Sequence, residues 1–308
     1  MTTANAPGKI ILLGEHAVVY GRPAIAVPIP DVQATADVED ARRGTGCTII
    51  ARDLNRKVRL AEAAADDPLA AIVRGVLGSL KTPEPDVTIT VHSTIPIASG
   101  MGSGAAVSAA IARGLAKHLG HPLDNGTLSW LVFEVEKLYH ATPSGIDNTV
   151  VAQGQPVFFV KDRLIQNFSI KSPLHILIAD TGLPSLTKAV VQDVRAAWEA
   201  DREHYDSLFK SIGQVVIMGR AAIETGEFFA LGALMDGNQW LLQQMGVSSP
   251  EINNLVQAAR RAGALGAKLS GAGRGGNVIA LVTEDKQEAV ADALRQAAAK
   301  NVIAANVA

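Results

Sequence analysis

The residues with the clearest chemical capacity lie in four separated stretches. One is Pro96-Ile97-Ala98-Ser99-Gly100-Met101-Gly102-Ser103-Gly104-Ala105-Ala106, which follows a strand pattern and opens a helical one. Glycines let a backbone come close to a phosphate, and the unpaired N–H groups and positive end of the following helix attract its charge. Such a loop can hold a nucleotide without a basic patch. The same residues also suit a tight strand-to-helix turn in which Ala105 and Ala106 pack closely. The stretch has neither the terminal Gly-Lys-Ser/Thr of a P-loop nor the Gly-x-Gly-x-x-Gly spacing of a dinucleotide site, so neither common nucleotide fold is supported.

Nearer the start, Ala6-Pro7-Gly8-Lys9 leads through an apolar run to Gly14-Glu15-His16-Ala17-Val18-Val19-Tyr20-Gly21. A Lys at the start of a buried strand offers a fixed positive charge, and a Glu-His pair at its far end can face the same cleft. Singly, Lys9 also suits a solvated strand end, and His16 a hydrogen-bonded structural residue. Further on comes Glu136-Lys137-Leu138-Tyr139-His140-Ala141-Thr142-Pro143-Ser144-Gly145-Ile146-Asp147-Asn148. A carboxylate just past a Pro-Ser-Gly turn can activate a hydroxyl or ligate magnesium, although Asp-Asn after Gly is also ordinary turn chemistry. The last stretch, Gly266-Ala267-Lys268-Leu269-Ser270-Gly271-Ala272-Gly273-Arg274-Gly275-Gly276, carries five glycines in eleven residues. That is more than a turn needs, and it points to backbone contact with a ligand or with the first loop.

Positioning these residues requires strands early and helices later. Lys9 to Leu13, Ala24 to Pro28 and Val87 to Ser93 read as strands. Asp66 to Leu80, Gly104 to Leu119 and Leu128 to Tyr139 read as helices, with surface strands and turns between Arg42 and Leu60. After residue 145, Val150 to Val160 and His175 to Ala179 read as strands and Leu186 to Tyr205 as one long helix. Three helical patterns follow, over 211–224, 227–245 and 251–262. The strand Asn277 to Val282 and an amphipathic helix over 284–300 close the chain. The pattern places a domain boundary near 160–180, without an internal repeat or a low-complexity linker.

Composition narrows the partners. The chain has 308 residues, 48% hydrophobic and 19% charged, enough to bury a large core and too long for one core to be the better expectation than two. Lys plus Arg number 28 against 30 for Asp plus Glu, so no basic excess marks a nucleic-acid or anionic-lipid surface. The single cysteine, Cys47, excludes an internal disulfide and a Cys-rich zinc site and is expected to be a small buried residue. Met1 to Lys9 lacks the apolar core of a signal peptide, and no stretch reaches the roughly eighteen apolar residues of a membrane span. The expectation is a soluble cytoplasmic protein with a small-molecule substrate and no nucleic-acid or membrane partner; a homodimer is the default assembly.

Taken together, in this order and separation, the four stretches resemble the superfamily of galactokinase, homoserine kinase, mevalonate kinase and phosphomevalonate kinase, the GHMP kinases. The likeness runs through nearly the whole chain. Within the superfamily, Gly8-Lys9 to Gly21, His140 to Asn148, Asp180-Thr181-Gly182, and Leu241-Leu242 with Gly246-Val247-Ser248-Ser249-Pro250 are similar to the mevalonate kinases. The resemblance implies a two-domain α+β fold, with residues 1–165 forming an N-terminal half like domain 2 of ribosomal protein S5 and 166–308 a ferredoxin-like half, and with ATP and substrate in the cleft between them. It implies ATP-dependent phosphorylation of the primary hydroxyl of mevalonate.

The resemblance also assigns roles. Asp147 matches the catalytic base, and Lys9 the basic residue that lowers the hydroxyl's pKa. Pro96, Ser99, Gly100, Met101, Gly102, Ser103, Gly104, Ala105, Gly271, Ala272 and Gly273 fall on nucleotide positions. Lys9, Glu15, His16, Ser144, Asp147 and Thr187 fall on substrate positions, and Glu136 with Ser103 on the Mg²⁺ site. No zinc, haem or nicotinamide is expected. The family usually has two adjacent serines after Gly102, the second on magnesium, where this chain has Ser103-Gly104. Ser103, a water or a backbone group then substitutes, or Glu136 alone holds the metal. Ser185 stands in place of a frequent Arg, Gln239 of a His, and Arg274 and Asn277 of Gly and Cys; Arg274 could add charge near the phosphates. The alternatives are a kinase for a related alcohol or for phosphomevalonate, and a non-catalytic metabolite or nucleotide sensor.

Overall fold

The computed structural model describes residues 1–308 apart from 97–99, 140–142, 162, 164, 185 and 186. The chain divides into two compact units. One comprises Met1–Gly8, Val32–Ile97 and Gly102–Gly154; the other comprises Lys9–Asp31, Ala98–Met101 and Gln155–Ala308.

Two long strands serve both units. Strand β1 (Thr2–Leu13) mixes exposed and covered residues at first and is buried from Gly8 onward. Strand β2 (Ala24–Asp40) is buried from Ala24 to Ile29, is exposed at Pro30 and Asp31, and then alternates, with Val32, Ala34, Ala36 and Val38 inside. That alternation is the signature of a sheet with one solvated face.

In the first unit, β3 (Thr48–Ala51) pairs with β4 (Arg56–Arg59) antiparallel and with β5 (Val87–Ser93) parallel, and β5 pairs antiparallel with the later part of β2. Helix α1 (Pro68–Leu80) starts where Asp67 accepts the Leu69 and Ala70 N–H groups and Pro68 supplies a preset φ. Helices α2 (Ser103–His118), α3 (Asn125–Tyr139) and α4 (Ile146–Gln153) pack on one another, and α2 covers β5. Cys47 is buried, as expected.

The expected strand over 150–160 is overturned. Residues 146–153 form α4, and only β6 (Val157–Phe159) is extended. Thr149, Val150 and Val151 favour strands by side-chain type, but all three are buried in α4, and Thr149 Oγ1 donates to the Gly145 carbonyl within its first turn. Packing overrides propensity here.

In the second unit, β6 pairs with the early part of β2 and with β7 (Gln166–Asn167). After β8 (Leu174–Asp180) come α5 (Thr187–Ala200), α6 (Arg202–Thr225), α7 (Phe228–Gln244) and α8 (Pro250–Arg261). Then follow β9 (Gly266–Ser270), β10 (Asn277–Val282), α9 (Gln287–Gln296) and β11 (Asn301–Val307). The sheet order β11-β8-β10-β9 is antiparallel throughout and is the β-α-β-β-α-β ferredoxin-like arrangement with extra helices in the first crossover.

Three further expectations change in this unit. The single helix over 186–205 is interrupted at Asp201, whose carboxylate caps α6 by accepting from the His204 N–H. The helix over 284–300 is a short 3-10 turn at Glu284–Lys286 followed by α9, and the chain then turns into β11, an edge strand paired along its length with β8. The stretch from Gly266 to Gly276, whose glycines suggest a loop leading into a strand, begins as the buried strand β9. Among the described residues, no helix is long and apolar enough to cross a membrane.

Candidate active site

In the second unit, the stretch that begins at Ala6 and the one that begins at Gly266 are stitched together. The Ser270 hydroxyl donates to the Ile11 carbonyl at 2.9 Å and accepts the Ile11 N–H at 3.1 Å, locking β1 to the end of β9. Beyond Leu13 the chain turns at Gly14, where φ is +105° and a Cβ would lie 2.6 Å from the Ala24 Cα. Only glycine fits such a corner. The Gly14 N–H donates to Asn238 Oδ1 on α7 at 3.3 Å.

His16 sits at φ 60°, ψ −51°, and the Ala17 N–H donates to the Glu15 carbonyl at 2.6 Å. This is a γ-turn of the positive-φ kind, a strained conformation that persists only when its surroundings enforce it. Two contacts do so. His16 Nε2 lies 2.9 Å from the Ala272 carbonyl in the glycine loop, and the Glu15 carboxylate is ion-paired with Lys268 of β9. Lys268 is 0% exposed and Glu15 1%, and the same ammonium donates to the Leu269 carbonyl. Burial raises the Glu15 pKa and lowers that of Lys268, while the attraction between them opposes both shifts.

Burial also lowers the His16 pKa, to about 4, against the hydrogen bond to Ala272 that raises it. The ring is therefore neutral at pH 7, with Nε2–H donating to the carbonyl. An unfolded His16 takes up its proton near pH 6.5 while the folded one does not until about pH 4, so acid favours the unfolded chain across that window. The stability difference between wild type and His16→Gln is expected to shrink by about 3 kcal/mol from pH 7 to pH 4. Urea unfolding of both proteins across that range measures it. A difference independent of pH would contradict a buried neutral His16.

The loop between β5 and α2 meets β1 through its tail: the Lys9 N–H donates to the Met101 carbonyl at 3.0 Å. Lys9 is 4% exposed and Met101 is buried. Gly100 is exposed, with open space where a Cβ would stand. Ser99 lies outside the described residues, as do Ile97, Ala98 and Ser185. Gly271 and Ala272 are half-buried and Gly273 is buried. Its tightness has a local cause, since a Cβ on Gly273 would lie 2.0 Å from the Val247 carbonyl. Thr187 opens α5 and is exposed.

The remaining expected site residues belong to the first unit. Pro96 is half-buried, and the N-cap of α2 is Gly102, which has no side chain with which to cap the helix. The N–H groups of Ser103, Gly104 and Ala105 belong to a first turn that its N-cap residue does not satisfy, the kind of helix end that receives an anion. Ser103 is half-buried, Gly104 exposed and Ala105 buried. Glu136 lies on α3 at 8% exposure; Asp147, half-buried, is in the first turn of α4, after Ser144, whose hydroxyl accepts the Ile146 N–H at 3.3 Å. Since α2, α3 and α4 pack together, one helical layer carries the glycine loop's helix and both carboxylates. Among the described residues, no three His, Cys, Asp or Glu side chains gather into a metal cluster.

Sequence reasoning assigned no role to Lys268, Asn238 or Ser270, and for Arg274 it offered only added charge near the phosphates. Lys268, Asn238 and Ser270 fix the corner at residues 14–16. Gln239, which replaces a frequent His, accepts the Leu269 N–H at 2.9 Å and donates to Ser248 at 3.2 Å, joining α7, β9 and the turn before α8. Arg274 donates to the Gly246 carbonyl at 3.1 Å and pairs with Asp193 of α5. Asn277 is buried at the start of β10, opposite Ser270. One signal was available for Lys268: a lone Lys between Ala267 and Leu269 in an apolar run rarely sits buried without a partner.

Two family profiles match the chain, the GHMP kinases N terminal domain over residues 67–154 and the GHMP kinases C terminal over residues 220–300. The chain belongs to the GHMP kinases. Its curated relatives include the mevalonate kinase of Thermococcus sibiricus, 34% identical over 97% of this chain and 94% of the relative, and that of Thermococcus gammatolerans, 36% identical over 94% and 92%. Among solved structures it is similar to L. major mevalonate kinase in complex with R-mevalonate, with a TM-score of 0.85, 27% identity, and coverage of 100% of this chain and 96% of the other.

Proposed function

We propose that this kinase transfers the γ-phosphoryl group of ATP to the primary hydroxyl of mevalonate, giving 5-phosphomevalonate and ADP. The reading is carried by one observation: 34% identity to a mevalonate kinase over 97% of this chain and 94% of that relative. Phosphomevalonate, other small alcohols and a non-catalytic sensor are not favoured.

In this reading Asp147 takes the hydroxyl proton as the substrate oxygen bonds to the γ-phosphorus, and the bond from that phosphorus to the ADP oxygen breaks, its electron pair leaving with ADP. The Lys9 ammonium lowers the hydroxyl's pKa and opposes the negative charge that grows during transfer. Pro96, Ser99, the 100–105 segment and Gly271 to Gly273 hold the nucleotide, chiefly through backbone N–H groups, which suits a chain with no basic excess. His16, Ser144 and Thr187 face mevalonate. Glu15 serves it through the corner that its pairing with Lys268 fixes.

The donor set fits Mg²⁺: one carboxylate, Glu136, and one hydroxyl, Ser103, both from the packed helical layer, are what a magnesium ion that keeps waters and binds phosphates asks of a protein. When bound, it would neutralise charge on the β- and γ-phosphates. The division of labour follows residues 1–165 for the phosphate loop and base and 166–308 for the ferredoxin-like half. The enzyme works in the cytoplasm as a homodimer.

Lys9→Met is expected to lower kcat by about 10²-fold with a smaller change in KM, because charge stabilisation is used in the transition state. A coupled ADP-release assay with mevalonate, phosphomevalonate, homoserine and galactose tests both substrate and residue. Turnover that is fastest with mevalonate and lost in the variant supports the reading. An unchanged rate removes Lys9 from the chemistry, and preference for another acceptor replaces the substrate.

A further inference from the structure

Helix α4 carries Asp147 in its first turn and is only eight residues, about 12 Å, long. At its far end, Asn125 of α3 donates to the Gln153 side chain at 3.4 Å, and one side chain from α2 grips the open carbonyls. Arg113 donates from Nη2 to the Ala152 carbonyl at 2.8 Å and the Val151 carbonyl at 3.4 Å, and from Nη1 to the Asn5 carbonyl of β1 at 3.0 Å. All three acceptors are neutral. A half-buried cation placed this way gains from the negative end of α4 and satisfies carbonyls that the helix leaves open. Burial lowers the guanidinium's pKa, as a charge with no carboxylate among these acceptors requires.

The first turn is fixed separately. Asn148, 5% exposed, donates from Nδ2 to the Ser129 carbonyl at 3.2 Å and to its hydroxyl at 2.8 Å, tying α4 to α3 beside Asp147. With one end pinned to α3 and the other gripped from α2, the helix has a defined direction, and the carboxylate at residue 147 inherits it.

We propose that Arg113 is a positioning residue for phosphoryl transfer, setting the direction of α4 from its C-terminal end and so the placement of the Asp147 carboxylate; this rests on Asp147 being the base. The lever is short. A tilt of about 10° over about 12 Å moves the opposite end by about 2 Å, and a misplacement of about 1 Å can lower a rate about 10²-fold. Lysine keeps the charge but cannot reach three carbonyls with a rigid fork.

The test measures kcat, both KM values and urea midpoints for Arg113→Met, Arg113→Lys, Asp147→Asn and the double variant Asp147→Asn with Arg113→Met. Arg113→Met is expected to lower kcat about 10- to 100-fold with KM changed less than about threefold. Arg113→Lys should fall between it and wild type. Since Arg113 acts through Asp147, its removal should cost the residual rate of Asp147→Asn nothing further. The proposal is overturned if either Arg113 variant, folded, keeps the wild-type kcat, or if its effect persists in full on the Asp147→Asn background. Should Arg113→Met not fold, Arg113→Lys decides by the same criterion. If Asp147→Asn alone retains its rate, the assignment of the base fails, and that failure is visible without any Arg113 variant.

Discussion

Asp147→Asn is expected to leave a folded protein whose kcat with mevalonate is about 10²- to 10⁴-fold below wild type, the range that a positioned general base contributes. In free energy that is about 3–5 kcal/mol of barrier. Asparagine keeps the shape and hydrogen-bonding reach of aspartate but cannot take the proton, so substrate affinity should change little while turnover collapses. The fold should survive, since asparagine keeps the size and position of the side chain; the helix-dipole part of any stability loss is about 0.3–1 kcal/mol. Steady-state kinetics beside an unfolding curve separate the two effects. A variant with near-wild-type kcat would remove Asp147 from proton transfer.

The second large effect concerns stability. Lys268→Met would leave the Glu15 carboxylate without its cation at a point where the two side chains are 1% and 0% exposed. Removing one member of a buried pair typically costs about 3–5 kcal/mol, because the survivor is a desolvated charge. Against the roughly 5–15 kcal/mol that holds a domain folded, this is a large fraction. The urea midpoint should fall sharply. Replacing both partners, Lys268→Met with Glu15→Gln, should recover at least half of the loss, since the orphaned charge is then gone. Activity should follow the corner: the γ-turn at His16 is strained, and weakening the pair on its Glu15 side should release it even where the fold survives. A single variant as stable as wild type would mean that the pair contributes nothing to the second unit.

Local chemistry was legible in the sequence, and distant pairing was not. Strands β5 and β10 have the limits that their apolar patterns indicate, and α2 and α3 begin within a few residues of expectation. These elements alternate or repeat strongly enough for one window to decide. Helix α4 misled because Thr149, Val150 and Val151 are strand formers whose burial between helices is a property of the assembled unit. Strand β11 was hidden for a related reason, since Asn301–Val307 is extended only through its pairing with β8, more than a hundred residues earlier.

The same holds for the site. Lys9, Glu15, His16, Glu136 and Asp147 stand in compact motifs, where residue type and spacing carry the information. Their supports come from elsewhere: Lys268 lies 253 residues from Glu15, Ala272 lies 256 from His16, and Arg113 lies 39 from Ala152. No local pattern encodes such partners. Gln239 and Arg274 read as departures from frequent family residues, and their described contacts brace α7, α5, β9 and the turn at Gly246.

The most direct measurement of the central claim is a proton-coupled ³¹P spectrum of the protein incubated with ATP, Mg²⁺ and mevalonate. Phosphorylation of the primary hydroxyl places the new phosphorus beside a CH₂ group, so the account predicts a monoester triplet growing in step with ADP, and its absence with Asp147→Asn. A singlet from the tertiary hydroxyl, or ADP appearing with inorganic phosphate and no ester, would contradict it.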